Sequence, residues 1–368
     1  MRYLLQMISI FVLAGLAACS KAPLSVEAGE PVGLIRQAYQ DPVRKSWRGG
    51  EARPLTTSIW YPAVAGTEMV KIGIPPSRPV FIGGYAARDA ELSPAQTKYP
   101  LIVMSHGTGG AALQMMWLGR ALASQGYIVA AVDHHGNTAA EDQYDARGFR
   151  LPWERALDIS AVIDHVLADP VFGPNIDQTR IGAVGFSLGG YTVTALAGGI
   201  LDLGRLEGFC ASDQRDATCD DQSEYPEASA DLEKLRKTDP RIDIGLAGHG
   251  KPFRDERVQA VVALAPALAQ AFTDDSLKNI NTPMLIISGS ADRIVPTRTN
   301  ASRLAETIPN AELYEIPGAG HYVFLNTCNK RGKKYVPICK DGDGIERGQI
   351  HAKAVKQVSE FFARQFGA

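Results

Sequence analysis

The sequence predicts an α/β protein with a mostly parallel sheet and helices on both faces. Three observations carry this. Short apolar runs recur along the chain, among them Leu101-Ile102-Val103-Met104, Ile128-Val129-Ala130-Ala131-Val132 and Met284-Leu285-Ile286-Ile287. Strands covered on both faces read as continuous apolar runs rather than as an alternation. Segments with a helical apolar period lie between those runs, and strands alternating with helices assemble into a parallel sheet wrapped on both sides. Finally, Gly185-Phe186-Ser187-Leu188-Gly189-Gly190 joins a small-residue strand (Ile181, Ala183, Val184) to a helix over Tyr191 to Ala197. This is strand, sharp turn, helix, with a serine at the turn. Glycines two residues either side of Ser187 fit a strained backbone that leaves no room for a Cβ there.

The chain begins with the basic Met1-Arg2 and continues with sixteen almost wholly apolar residues, Tyr3 to Ala18. That run is short for a membrane span of about 20 residues and ends in small residues, so residues 1–18 are expected to be a signal peptide. Leu16-Ala17-Ala18-Cys19 resembles the bacterial lipoprotein signal. The resemblance implies that Cys19 becomes the lipidated first residue. With Ser20 next, it implies release from the inner membrane. The expectation is an exported lipoprotein, periplasmic or at the outer membrane, attached through its N-terminal lipid. Residues 19–30 read as a tether, and 31–368 as one domain.

Pro54 to Pro62 is rich in β-branched and aromatic residues and reads as a strand ending at Pro62. Residues 64–93, rich in Gly and Pro, read as loop or edge. Tyr99 to Ser105 is a buried strand that runs into His106-Gly107-Thr108-Gly109-Gly110, and a helix follows from about Ala111 to Gln125. The next strand, Gly126 to Val132, ends at Asp133-His134-His135-Gly136. The helix over Trp153 to Leu167 is expected to bury Leu157, Ala161, Val162 and Val166. Further strands are Val258 to Leu264, Pro283 to Gly289 and Ala311 to Ile316. A terminal helix carries Ile350, Val355, Val358, Phe361 and Phe362 on one face. Residues 201–253 are an insertion between the post-serine helix and the next strand, either a lid over a site or a surface decoration.

Hydrophobic residues make up 45% of the chain and charged residues 21%, a globular rather than a disordered composition. The net charge of −2 gives no electrostatic reason to expect a nucleic-acid partner. Beyond Cys19 the cysteines are Cys210, Cys219, Cys328 and Cys339, in two local pairs. In an exported chain they suggest two disulfides; three connectivities exist, and local pairing is the simplest. The spacing and the lack of neighbouring histidines argue against zinc. Asp341-Gly342-Asp343-Gly344 lacks the later ligands of a calcium loop and reads as a turn.

Ligand chemistry on a parallel sheet belongs at the carboxyl ends of its strands. Ser187, Asp292 and His321 each follow a predicted strand, in the order Ser, Asp, His. On these marks the chain resembles an α/β-hydrolase. Within that group it resembles the bacterial proteins described as predicted dienelactone hydrolases, akin to platelet-activating-factor acetylhydrolases. The resemblance covers about Val32 to Phe366. It rests on Ile59-Trp60-Tyr61-Pro62, Ser105-His106-Gly107, the Gly185 to Gly190 turn, Gly289 to Asp292, and Gly320-His321. True dienelactone hydrolases carry a cysteine nucleophile where this chain has Ser187, which favours ordinary carboxylic esters.

A serine hydroxyl is a weak nucleophile unless a base takes its proton as it attacks. His321 is the candidate base and Asp292 the group that orients it. The oxyanion would be held by the amide of Leu188, the residue after the serine, and, as the resemblance implies, by that of Thr108. His106 is expected to brace the Thr108 loop. His134 and His135 are open to two readings, pocket lining or structure. The expected activity is serine ester hydrolysis through an acyl-enzyme, on a small-molecule or lipid ester, with no metal or organic cofactor. Acyl transfer, amide or peptide hydrolysis by the same residues, or a silent fold used for binding, are the alternatives.

Overall fold

A computed structural model describes residues 31–367. The expected signal peptide, the lipidation site Cys19 and the tether to residue 30 lie outside the described residues. Eleven strands form one sheet. In chain order they are β1 (Val32–Lys45), β2 (Ala52–Pro62), β3 (Val70–Ile74), β4 (Phe81–Arg88), β5 (Tyr99–Ser105), β6 (Ile128–Val132), β7 (Ile176–Phe186), β8 (Val258–Leu264), β9 (Met284–Gly289), β10 (Ala311–Ile316) and β11 (Thr327–Cys328). Their hydrogen-bonded order is β10-β9-β8-β7-β5-β6-β2-β1-β4-β11, with β3 on β4. From β10 to β6 all pairings are parallel; β2 is antiparallel to β6, and β1 to β2.

The side-chain alternation of β5 shows how the sheet is covered. Leu101 and Val103 face one core cluster, under the helices Glu154–Ala168 and Leu188–Ala197; Ile102 and Met104 face the other, under Met116–Ala123 and Arg347–Phe366. Every β5 residue is buried, which is why the strand reads as an uninterrupted apolar run. On the terminal helix Ile350, Val358, Phe361 and Phe362 are buried, and Val355 packs partly buried against them.

One expectation needs correction, in the helix Glu154–Ala168, where Leu157 is 36% exposed. The buried stripe is instead Ala156, Ile159, Val162, Ile163 and Val166, joined by the charged Arg155 and Asp158. Those two side chains are satisfied inside by partners from other elements, so they take inward positions that an apolar count assigns to Leu157. Of the two readings open for residues 64–93, loop or edge, the edge reading holds for β3 and β4, which form an edge layer beyond β1. The insertion holds the helices Leu203–Cys210, Ala228–Arg236 and Arg241–Leu246, and Leu232 and Ile242 pack with Ala146 in a small cluster of their own. Among the described residues no helix is long and apolar enough to cross a membrane.

Candidate active site

The neighbours of β5 in the sheet are β6 on one side and β7 on the other, so the connections leave it in opposite directions. A crevice therefore opens beyond the carboxyl ends of β5 and β7, the place where such sheets bind ligands. Ser187 stands there, directly after β7, with φ 55° and ψ −116°. A positive φ at a non-glycine residue is strained and needs a surrounding that enforces it. The Ser187 N–H donates to the Leu264 carbonyl at 2.9 Å, and its own carbonyl accepts from Gly190 at 2.8 Å and from Ala267 at 3.0 Å. A Cβ on Gly185 would run into the Gly189 carbonyl, and one on Gly189 into that of Ser105. Both glycines are thus required by close backbone approach, as the sequence pattern implied.

The turn brings the three expected residues together. His321 Nε2 lies 3.0 Å from Ser187 Oγ, and His321 Nδ1 lies 2.7 Å from Asp292 Oδ2. The other oxygen of Asp292 accepts from the amides of Ile294 at 2.9 Å and Val295 at 2.7 Å, which fixes the carboxylate. With Nδ1–H donated to Asp292, Nε2 is left as an acceptor facing the serine hydroxyl. All three side chains are buried, and the Phe186 ring packs 4.9 Å from the imidazole.

Both expected oxyanion donors lie on the wall of the same cavity of about 470 Å³, with Ser187 and His321. Leu188 opens the helix Leu188–Ala197, where the first amides have no intrahelical acceptor. The Thr108 amide meets no acceptor among the described residues. Its loop is held on both sides: Gly107 N–H donates to Gln114 Oε1 at 2.9 Å, and Gly109 N–H to Asn137 Oδ1 at 2.7 Å. His106 braces the loop, donating from Nδ1 to the Gly107 carbonyl at 2.7 Å and accepting the His134 amide at Nε2 at 3.1 Å. An imidazole that must accept at one nitrogen stays neutral, and burial holds the pKa of His106 well below its ordinary value.

His134 and His135 do not line the cavity. His134 is fully buried between Ser105 Oγ and Asp158, each at 2.9 Å, and His135 faces Glu141 at 2.7 Å and the Trp47 amide at 3.1 Å. Both complete polar networks beneath the strand ends, so the structural reading holds. Asp341 is likewise engaged, by Arg347 at 2.7 Å.

Part of the insertion does reach the site: Ala217, Thr218 and residues 220–224 line the cavity. Cys210–Cys219 and Cys328–Cys339 are joined at disulfide distance, 1.99 and 1.94 Å, in the local pairing. The first pair ends one residue before the wall segment 220–224. That segment is also tied to the main domain, by Asp216 to Thr299 and by Asn300 Nδ2 to Thr218 Oγ1 at 3.2 Å. The second pair holds Ile338, which reaches the cavity from the loop after His321. Several residues that shape this region were missed in sequence: Glu224 and Tyr144 on the wall, Asn137 behind it, and Arg155. Only Arg155 had a detectable signal, a charge inside an apolar helical stripe.

Comparison with known proteins gives this geometry a family. A profile described as the Alpha/beta hydrolase family matches residues 102–328, which run from within β5 to the end of β11 and hold Ser187, Asp292 and His321. The chain belongs to the alpha/beta hydrolase family. Over 101 residues the chain is 32% identical to Cutinase est2 of Thermobifida alba, covering 27% of the chain and 30% of that protein. Over 54 residues it is 48% identical to the platelet-activating factor acetylhydrolase of Cavia porcellus, covering 14% of the chain and 12% of that protein. The matched stretches span 12% to 30% of the length of the curated relatives. A ferulic acid esterase from Streptomyces cinnamoneus shares the fold across the hydrolase domain, with a TM-score of 0.61 at 20% identity, over 94% of this chain and 92% of the other.

Proposed function

We propose that the protein is a serine carboxylic ester hydrolase in which Ser187 attacks the ester carbonyl. The observation that carries this is the hydrogen-bonded chain Ser187–His321–Asp292 at 3.0 and 2.7 Å on a strained, glycine-flanked turn. His321 Nε2 takes the serine proton as the Oγ–carbonyl bond forms, and Asp292 stabilises the resulting imidazolium. The negative charge on the former carbonyl oxygen is met by the amides of Leu188 and Thr108. Collapse of that intermediate returns the proton from His321 to the departing alcohol and leaves an acyl-serine. Water, activated by the same imidazole, then releases the acid and restores Ser187.

The names of the relatives, a cutinase, an acetylhydrolase and an esterase, support ester bonds as the target. The cavity is of a size for a small-molecule ester. Phe186, Leu188, Leu268, Ile294 and Val295 give it apolar walls, and its charged lining is acidic, Asp220, Asp221 and Glu224, with no Lys or Arg among the described residues. That lining supports neutral esters over anionic ones. A serine at the nucleophile position supports ordinary esters over dienelactones. We further propose that Cys19 is lipidated and carries the enzyme, exported, to a membrane surface. Hydrolysis of a series of p-nitrophenyl esters of rising acyl length, by wild type and Ser187→Ala, tests the ester reading. The expected result is turnover of the short neutral esters that Ser187→Ala loses; no turnover of any ester by a folded wild-type protein would overturn it.

A further inference from the structure

Arg155 sits on the helix Glu154–Ala168, 2% exposed, beneath the strand ends. Burying a guanidinium is expensive unless a carboxylate compensates it. Here no carboxylate among the described residues lies within ion-pair distance of it: the nearby Asp158 is bonded instead by Arg53, Arg44 and His134. All the acceptors of Arg155 are neutral. It donates to the His106 carbonyl, to Ser105 Oγ at 3.3 Å, to Asn137 Oδ1 at 3.4 Å and to Thr192 Oγ1 at 3.2 Å.

Those acceptors have a common geometry. His106 and Asn137 grip the Thr108 loop from its two sides, because Asn137 Oδ1 also accepts the Gly109 amide. Thr192 belongs to the helix that Leu188 opens, and its hydroxyl bonds back to the Leu188 carbonyl at 3.1 Å. One buried cation therefore ties together the two backbone segments that carry the expected oxyanion donors. We infer that Arg155 is a positioning residue that sets the separation of the Thr108 and Leu188 amides, and that a charge is kept in the core for this purpose. The inference rests on the proposed ester hydrolysis through Ser187. It makes no contact with substrate a requirement, since Arg155 does not line the cavity.

Removing the side chain leaves Asp158 with all three of its partners, so Arg155→Met keeps the ion-pair cluster whole. The expected result is a fall in kcat of about 30- to 100-fold with KM within about threefold, since misplacement by about an ångström has that effect on a preorganised site. Affinity for an alkyl boronic acid, whose adduct with serine needs the same two amides, should fall by a similar factor. Thermal midpoint should stay within about 5 °C of wild type. Thr192→Val, which removes one of the four acceptors, should reproduce a smaller part of the kcat loss. Unchanged kcat and boronate affinity in folded Arg155→Met would overturn the inference. A wild-type protein that neither cleaves esters nor binds the boronate would instead sink the ester reading on which it rests.

Discussion

Ser187 illustrates a conflict between local stability and chemistry at a single residue. Its backbone occupies a positive φ that costs a non-glycine residue about 1–3 kcal/mol. Glycine would relieve that strain, against a loss of about 0.5–1 kcal/mol in chain entropy. Ser187→Gly should therefore unfold at a higher temperature than Ser187→Ala, and both should lose ester turnover by about three orders of magnitude or more. Calorimetry of the two variants checks the first part. An alanine variant as stable as the glycine variant would show that the turn is not strained. The serine and its two flanking glycines were legible in the sequence because steric necessity leaves a fixed pattern. Asp292 and His321 were legible because strand ends can be counted. Arg155 showed only as a charge inside an apolar helical stripe; its role was hidden, since it lies in acceptors drawn from separate segments of the chain.

At the level of elements, the cavity is built partly by the main domain and partly by a wall that the insertion lends it. Residues 220–224 have little apolar surface to bury, and their order comes from Cys210–Cys219 and from the ties of Asp216 and Thr218 to Thr299 and Asn300. Closing so short a loop stabilises by about 3 kcal/mol in the chain-entropy account. Cys219→Ser should therefore loosen the wall: KM for a bulky neutral ester rises several-fold, while kcat for a short one changes little. Cys328→Ser, which frees the loop after His321, should lower thermal stability and kcat together. Kinetics with a short and a long acyl ester separate the two, and equal KM values for wild type and Cys219→Ser on the long ester would count against a role for the wall. The strands β5 to β10 were readable from apolar runs, and both disulfides from spacing; β1 was not, because its partly buried and exposed positions alternate. The role of the wall was not, because Thr299 and Asn300 lie some 80 positions away in sequence. The edge strands β3 and β4 were obscured by their own Gly and Pro residues, and Leu157 by the inward turn of Arg155 and Asp158.

Across the whole molecule, several buried histidines tie stability to pH. Burial pushes the pKa of His134 and of His351 down to about 3, and that of His106 well below the ordinary value near 6.5. These groups are neutral in the folded state but take up protons when the chain unfolds. Their contribution is fully present above about pH 6.5 and is lost as pH falls from there toward 3. The depressed pKa of Asp158, held by Arg53 and Arg44 against the opposing effect of burial, extends the loss into stronger acid. The melting temperature should be nearly constant from pH 8 to 7 and lower by about 5–10 °C at pH 5. His351→Gln, which can still donate to the Val323 carbonyl, should flatten that dependence. A melting temperature constant from pH 8 to 4.5 would contradict it. The α/β architecture follows from the order of apolar runs, and the family match spans the segment that holds all three candidate residues. The central claim is that His321 activates Ser187, and the most direct test is reaction with a fluorophosphonate followed by peptide mass mapping. One adduct is expected, on Ser187, formed at least about 100-fold more slowly in His321→Ala and absent from Ser187→Ala. An adduct on another residue, or labelling of Ser187 at the wild-type rate in His321→Ala, would contradict it.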